Sequence, residues 1–130
     1  MPLAKLAQAH FGTLSSVRPD GRPHAVPIVF VIVAGKLVTA IDHKPKTTSR
    51  LVRLANIDAN PNVSILVSNQ DEAWDQLWWV RADGTAEIQG EPEPDWIKAL
   101  IAKYPQYRGR PPGGPWIVVS ISHLADWSYT

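Results

Sequence analysis

Polar and apolar positions alternate along this chain in short runs, and strong turn signals separate the runs. FGTLSSV (11–17) predicts a first strand. RPDG (18–21) closes it, because proline presets φ and Asp-Gly supplies a left-handed position. HAVPIVFVIV (24–33) is apolar almost throughout, which predicts one strand covered on both faces. Ala34-Gly35-Lys36 turns the chain, and LVTAID (37–42) predicts a third strand running back. Connections this short exclude parallel crossovers and predict an antiparallel meander. Pro27 cannot donate to a ladder, so it belongs at a bulge or on an edge, either as edge protection or where a flat ligand meets the backbone.

From Thr47 to about Ala59 the period becomes helical. Leu51, Val52, Leu54 and Ala55 fall on one broad face, and Lys46, Arg50 and Arg53 fall in an arc beside Ile57. Asn60-Pro61 ends that helix. NVSILVS (62–68) predicts a strand, 69–76 a polar loop, and LWWVRADGTAEIQG (77–90) a long strand. Asp83-Gly84 inside it fits a hairpin turn or a bulge, and the overall pattern favours the bulge. EPEPDWIKALIAKY (91–104) predicts a second helix, 106–115 a mobile loop, and WIVVSISHLADWSY (116–129) the last strand. The expectation is a single mainly β domain over 1–130, with a short N-terminal segment (1–10) and two inserted helices. Six short strands in such a chain predict a small barrel rather than a layered sheet.

Composition narrows the chemistry. Cysteine is absent, which excludes disulfides, thiolate catalysis and zinc–thiolate sites. No apolar run approaches the roughly 20 residues of a membrane span, and residues 2–10 lack the apolar stretch of a signal peptide. A soluble cytoplasmic protein is expected. The net charge of +1 conceals an asymmetry: residues 1–60 carry eight Lys/Arg against three acids, residues 61–130 five against nine. An anionic ligand on one side or contact between subunits would use it, and interleaving of the halves would cancel it.

Hydrolase elbows, zinc-protease motifs and glycine-rich phosphate loops are all missing. The four histidines are scattered, and Asp71, Glu72 and Asp75 read as a solvated loop. DHKPKTTSR (42–50) remains. Thr47, Thr48 and Ser49 stand at a helix start, Lys44 and Lys46 flank the stiff Pro45, and Arg50 follows one turn later. Cations at a helix N-terminus oppose its dipole, which an anion there would offset. A solvated helix start remains an equal reading, and Arg53 reads as solvated. Trp78 and Trp79 are adjacent on a strand, so one faces the core and the other a groove, subunit or ring-shaped ligand.

TLSSVRPDGRPHAVPIVF, then LVTAIDHKPKTTSRLVRLANIDANPNVSILV, then DQLWWVRADGTAEI and a terminal ISHLADWS together resemble the pyridoxamine-phosphate-oxidase-like split β-barrel family. Within it the chain most resembles the actinobacterial branch that uses the deazaflavin coenzyme F420. The resemblance runs from about Phe11 to Trp127. It implies a six-stranded antiparallel split β-barrel, as in FMN-binding members, forming a homodimer with two cofactor sites at the interface. The ring would lie against the backbone at Pro27, Ile28 and Val29 and at Thr39–Ala40. The phosphate would meet Lys44, Lys46 and Thr47, with Arg50 as a further contact. Trp79, or else Trp78, would approach from the other subunit. A reduced deazaflavin would then deliver hydride to a small organic acceptor, with no side chain named as catalytic. FMN in the same site, or a non-catalytic carrier of deazaflavin, flavin or haem, are the alternatives. No nucleic-acid partner is expected, because a basic helix alone is weak support. The chain departs from the family in a short N-terminal helix and a long GRPPGGP loop.

Overall fold

The computed structural model describes the backbone of residues 1–41 and 48–130 and the side chains of 1–41 and 52–130. Among the described residues seven strands form one antiparallel sheet: β1 (Gly12–Val17), β2 (Pro23–Ile28), β3 (Val31–Val33), β4 (Lys36–Ala40), β5 (Asn62–Ser68), β6 (Trp78–Gln89) and β7 (Trp116–Ser128). Their order across the sheet is β2-β1-β5-β6-β7-β4-β3. β2 and β3 lie at opposite edges although only Val29 and Phe30 separate them in sequence. The chain crosses from edge to edge there, and the sheet curls into a split barrel.

This corrects the single strand expected over 24–33 and raises the count from six to seven. A continuous apolar run looks the same whether the strand is whole or broken. The expectation of cover on both faces also fails for β2, where Pro23, Ala25 and Pro27 are exposed. Pro27 does occupy an edge strand, where a missing N–H costs no ladder bond.

Side chains hold the seam between the edges. The Phe30 N–H donates to the Tyr104 hydroxyl at 3.1 Å, and that hydroxyl lies 3.0 Å from each of the Phe30 and His10 carbonyl oxygens. Lys103 Nζ donates to the Phe30 carbonyl at 2.9 Å and lies 4.1 Å from the Phe30 ring centroid. The Thr39 hydroxyl donates to the Val29 carbonyl at 2.7 Å. Backbone groups that lose a ladder partner at the break are thus satisfied by β4 and by helix α3 (Pro94–Lys103) with its C-cap Tyr104.

The barrel encloses one apolar core, built on Leu14, Phe30, Leu37, Ile65 and Ile117. Helix α1 (Pro2–Gln8) inserts Leu6 into this core, and α2 (Thr48–Ala59) inserts Leu54 and Ile57. Outside the barrel, α3 covers Val31, Val38, Trp116 and Val118 with Trp96 and Leu100. Leu37 and Val38 enter different cores because successive strand residues point to opposite faces. The predicted bulge in β6 is present as a register shift at Asp83/Gly84. A Cβ at Gly84 would run into the Ser120 carbonyl, so β7 can pass there only over glycine. Over 105–115 the chain makes one 3₁₀ turn (Pro105–Tyr107) and buries Pro112, and the Pro115 carbonyl accepts the Ile41 N–H at 2.9 Å. Among the described residues no helix is long and apolar enough to cross a membrane.

Replacing Tyr104 by Phe keeps the ring and strands the Phe30 N–H. Urea denaturation should show a loss of about 1–3 kcal/mol with the cooperativity unchanged. Wild-type stability in that variant would mean the seam does not depend on the hydroxyl.

Candidate cofactor site

The residues expected to meet a flat ring fall on the seam. Pro27 is exposed on the outer side of β2, whereas Ile28 points into the core and Val29 is half-buried. Thr39 is only 1% exposed, with its hydroxyl committed to Val29, and Ala40 packs against the core under α3. Ile28 and Thr39 can therefore reach a ligand only through their backbone.

Beside the seam the outer face of the sheet carries no described helix across β2, β1, β5 and β6. Pairing aligns Pro27, Thr13, Leu66, Arg81 and Ala125 in one row, and Ser68, Trp79 and Trp127 in the next. Directly paired residues share a face. Leu66 and Trp127 are each 42% exposed on that face, and Phe11 is 72% exposed just before β1. The two adjacent tryptophans divide as strand geometry requires: Trp78 packs against the barrel core, and Trp79 lies beside Trp127 outside it. The third row holds Ser64 and Asp83, where the Ser64 hydroxyl donates to Asp83 at 2.7 Å and Arg81 bonds the same carboxylate through Nε at 2.8 Å and Nη2 at 3.0 Å.

At the far end of β1 and β2 the character changes to basic. The Arg18–Arg22 turn forms as predicted, with Gly21 at φ 89°, and Asp20 holds Arg22 at 2.8 Å. Below it the Asn56 amide donates to the buried Ser16 hydroxyl at 3.1 Å. His24 pairs with Ser16 across the strands, and its Nδ1 is buried without a hydrogen-bond partner among the described residues. Burial lowers the His24 pKa, and the charges of Arg18 and Arg53 lower it further. Two guanidiniums thus act on an imidazole at the end of the barrel, an arrangement an anion would stabilise.

Helix α2 is turned differently from the pattern expected. Asn56 and Ile57 are buried and Leu54 packs inward, whereas Ala55 is exposed. Arg53 shares the inward side, half-buried, and the reading of it as a solvated charge is corrected. Lys44, Lys46 and Thr47 lie outside the described residues. Arg50 lies in the first turn of α2, with its side chain outside them too. Sequence reasoning also passed over Phe11, Trp127, Arg18 and His24. Of these only the first arginine of RPDGR and the terminal DWS carried any local signal. Exposure of an aromatic on the outer face requires the sheet order.

Residues 3–128 match the sequence family described as pyridoxamine 5'-phosphate oxidase. The chain belongs to that family. Curated protein sequences give no match. Among solved structures, the conserved protein Rv2991 of Mycobacterium tuberculosis is 23% identical with TM-score 0.74, over 99% of this chain and 86% of that one. An FAD-binding protein of Mesorhizobium loti is 20% identical with TM-score 0.66, over 96% and 90%. The FAD-binding protein of Mycobacterium smegmatis is 21% identical with TM-score 0.64, over 97% and 91%. Identities this low establish the shared fold, a mainly β split barrel of the pyridoxamine 5'-phosphate oxidase type.

In this family member two groups should shape acid stability. The unfolded chain protonates His24 near 6.5 while the folded chain resists, so stability should fall as pH drops below that value. Asp83 has its pKa lowered, first by the Arg81 hydrogen bond and then by Ser64. Its contribution is present above about 3.8 and is lost as pH falls through the lower folded value. Denaturation across pH should show His24→Gln flattening the upper limb and Asp83→Asn the lower.

Proposed function

We propose that this protein is an oxidoreductase that uses reduced coenzyme F420 to pass a hydride to a small organic acceptor, as a homodimer with two cofactor sites at its interface. The observation that carries this reading is the placement of the two ends of β2. One end adjoins the seam and the exposed aromatic row, and the other reaches Arg18, His24 and Arg53. A flat ring with an anionic chain has matching surfaces at the two ends. The basic surplus of residues 1–60 suits a deazaflavin whose chain carries phosphate and carboxylate charges.

The residues fit such a group on chemical grounds. Pro27 and the seam backbone offer an edge to a ring, and Trp79 with Trp127 offers apolar cover from the same or a partner copy. Lys44, Lys46, Thr47 and Arg50 precede or open α2, and Arg53 extends their charge toward His24. The phosphate is assigned to this group and to the half-buried Arg53. When bound, the reduced cofactor supplies the hydride. The chain supplies orientation, charge neutralisation and exclusion of water.

The homodimer is supported by the same outer face. Leu66, Trp127 and Pro27 form an apolar surface around the Arg81–Asp83 pair that a second copy would cover. Size-exclusion chromatography should give a dimer for the wild type and a monomer for Leu66→Arg. A flavin such as FMN in the same site is the second reading, favoured by the two structural relatives described as FAD-binding.

Titration with coenzyme F420 and with FMN, followed by fluorescence quenching, separates these readings. The deazaflavin should bind in the micromolar range or tighter. Lys46→Ala should weaken it by about tenfold or more, and Arg50→Ala and Arg53→Ala by roughly threefold to tenfold. Flavin binding with indifference to the deazaflavin would favour the second reading. Undiminished affinity in all three variants would remove the phosphate assignment.

A further inference from the structure

A cleft of about 490 Å³ opens between α1 and the start of β6. Lys5 and Gln8 of α1, His10 and Phe11 after it, and Ser68 and Trp78 opposite form its walls. The Lys5 ammonium stands 5.1 Å from the centroid of the Trp78 ring. Among the described residues it has neither a carboxylate nor any other hydrogen-bond acceptor in reach, and no wall residue is acidic. Lys5 is half-buried, and its ammonium faces the Trp78 ring. His10 adds an imidazole to the wall, with its ring edge-on to Tyr104 at 5.6 Å. Phe11 and Trp78 supply the apolar surface.

The cleft adjoins the seam. Gly12, next to Phe11, pairs with Ile28, and the His10 carbonyl lies within hydrogen-bond reach of the Tyr104 hydroxyl that holds Phe30. A molecule in the cleft would lie beside the stretch against which the cofactor ring is proposed. It would meet aromatic surface and a cation that has no counter-ion among the described residues.

We infer that this cleft is the acceptor pocket and takes a small planar carboxylate, stacked on Trp78 and Phe11 with its charge on Lys5. The acceptor role rests on the reading of the seam as the cofactor platform; the carboxylate site does not.

The test uses the cofactor-free protein and trans-cinnamate as probe, followed by the NMR shifts of the Trp78 indole N–H and the Ser68 amide. Saturable shifts of both are expected. Cinnamyl alcohol, equal in shape and without the charge, should bind about tenfold more weakly. Lys5→Gln should cost the acid a similar factor while leaving the alcohol unaffected, and Lys5→Arg should restore the difference. Lys36→Gln, at the start of β4 and outside the cleft, should change nothing. Equal binding of acid and alcohol, or an acid indifferent to Lys5→Gln, overturns the inference. If cinnamate binds through Lys5 but neither coenzyme F420 nor FMN binds, the carboxylate site stands and its role as acceptor pocket falls. If coenzyme F420 binds and cinnamate does not, only the cleft assignment falls.

Discussion

The Val29–Phe30 seam is the constraint on which the rest of this molecule depends. An antiparallel ladder satisfies backbone groups in pairs, and a chain that leaves one edge for the other forfeits those pairs where it crosses. Here the forfeited bonds are replaced by Thr39, Lys103 and Tyr104. The replacement carries a cost at Lys103, where burial lowers the ammonium pKa to about 8. Hydrogen bonding to the Phe30 carbonyl and the faces of Phe30 and Tyr104 offset part of it. Because these groups belong to α3 and its cap, that helix cannot be treated as an accessory to the barrel. It covers a second core and closes the first.

From that closure the candidate site follows. Committing α3 to β3, β4 and the first half of β7 leaves the other outer face with Leu66, Trp79 and Trp127 and without a described helix. At the opposite end of β2, α2 turns Asn56 and Arg53 toward Ser16 and His24. The apolar and basic ends of the surface are thus set by which helix covers which strands. Local sequence alone does not set them.

The strands were legible where alternation was clean. NVSILVS corresponds to β5 residue for residue, and the bulge at Asp83-Gly84 was readable because the flanking pattern continued through it. The run 24–33 was misread because apolar residues on both faces erase the period that would reveal a break, and prolines on an exposed edge count as apolar. Arg53 was misread for another reason. The periodicity of α2 groups Leu54 with Ala55, whereas the helix docks through Leu54, Asn56 and Ile57, bringing Arg53 inward. Trp79 could be separated from Trp78 only once Trp127 was known to be its neighbour across β6 and β7.

The seam also imposes an order in time. The Phe30 amide and the Tyr104 hydroxyl are 74 positions apart, and the pairs that join β4 to β7 span more of the chain still. Hairpins such as β1–β2 and β5–β6 need only short loops to close, whereas the seam must wait for residues 103 and 104. During synthesis from the N-terminus, the first hundred residues hold both edges of the barrel and only one of the three side chains that join them. Until α3 and β7 emerge, β2 and the β3–β4 hairpin are unjoined, and the prolines of β2 guard its edge against pairing with the wrong strand.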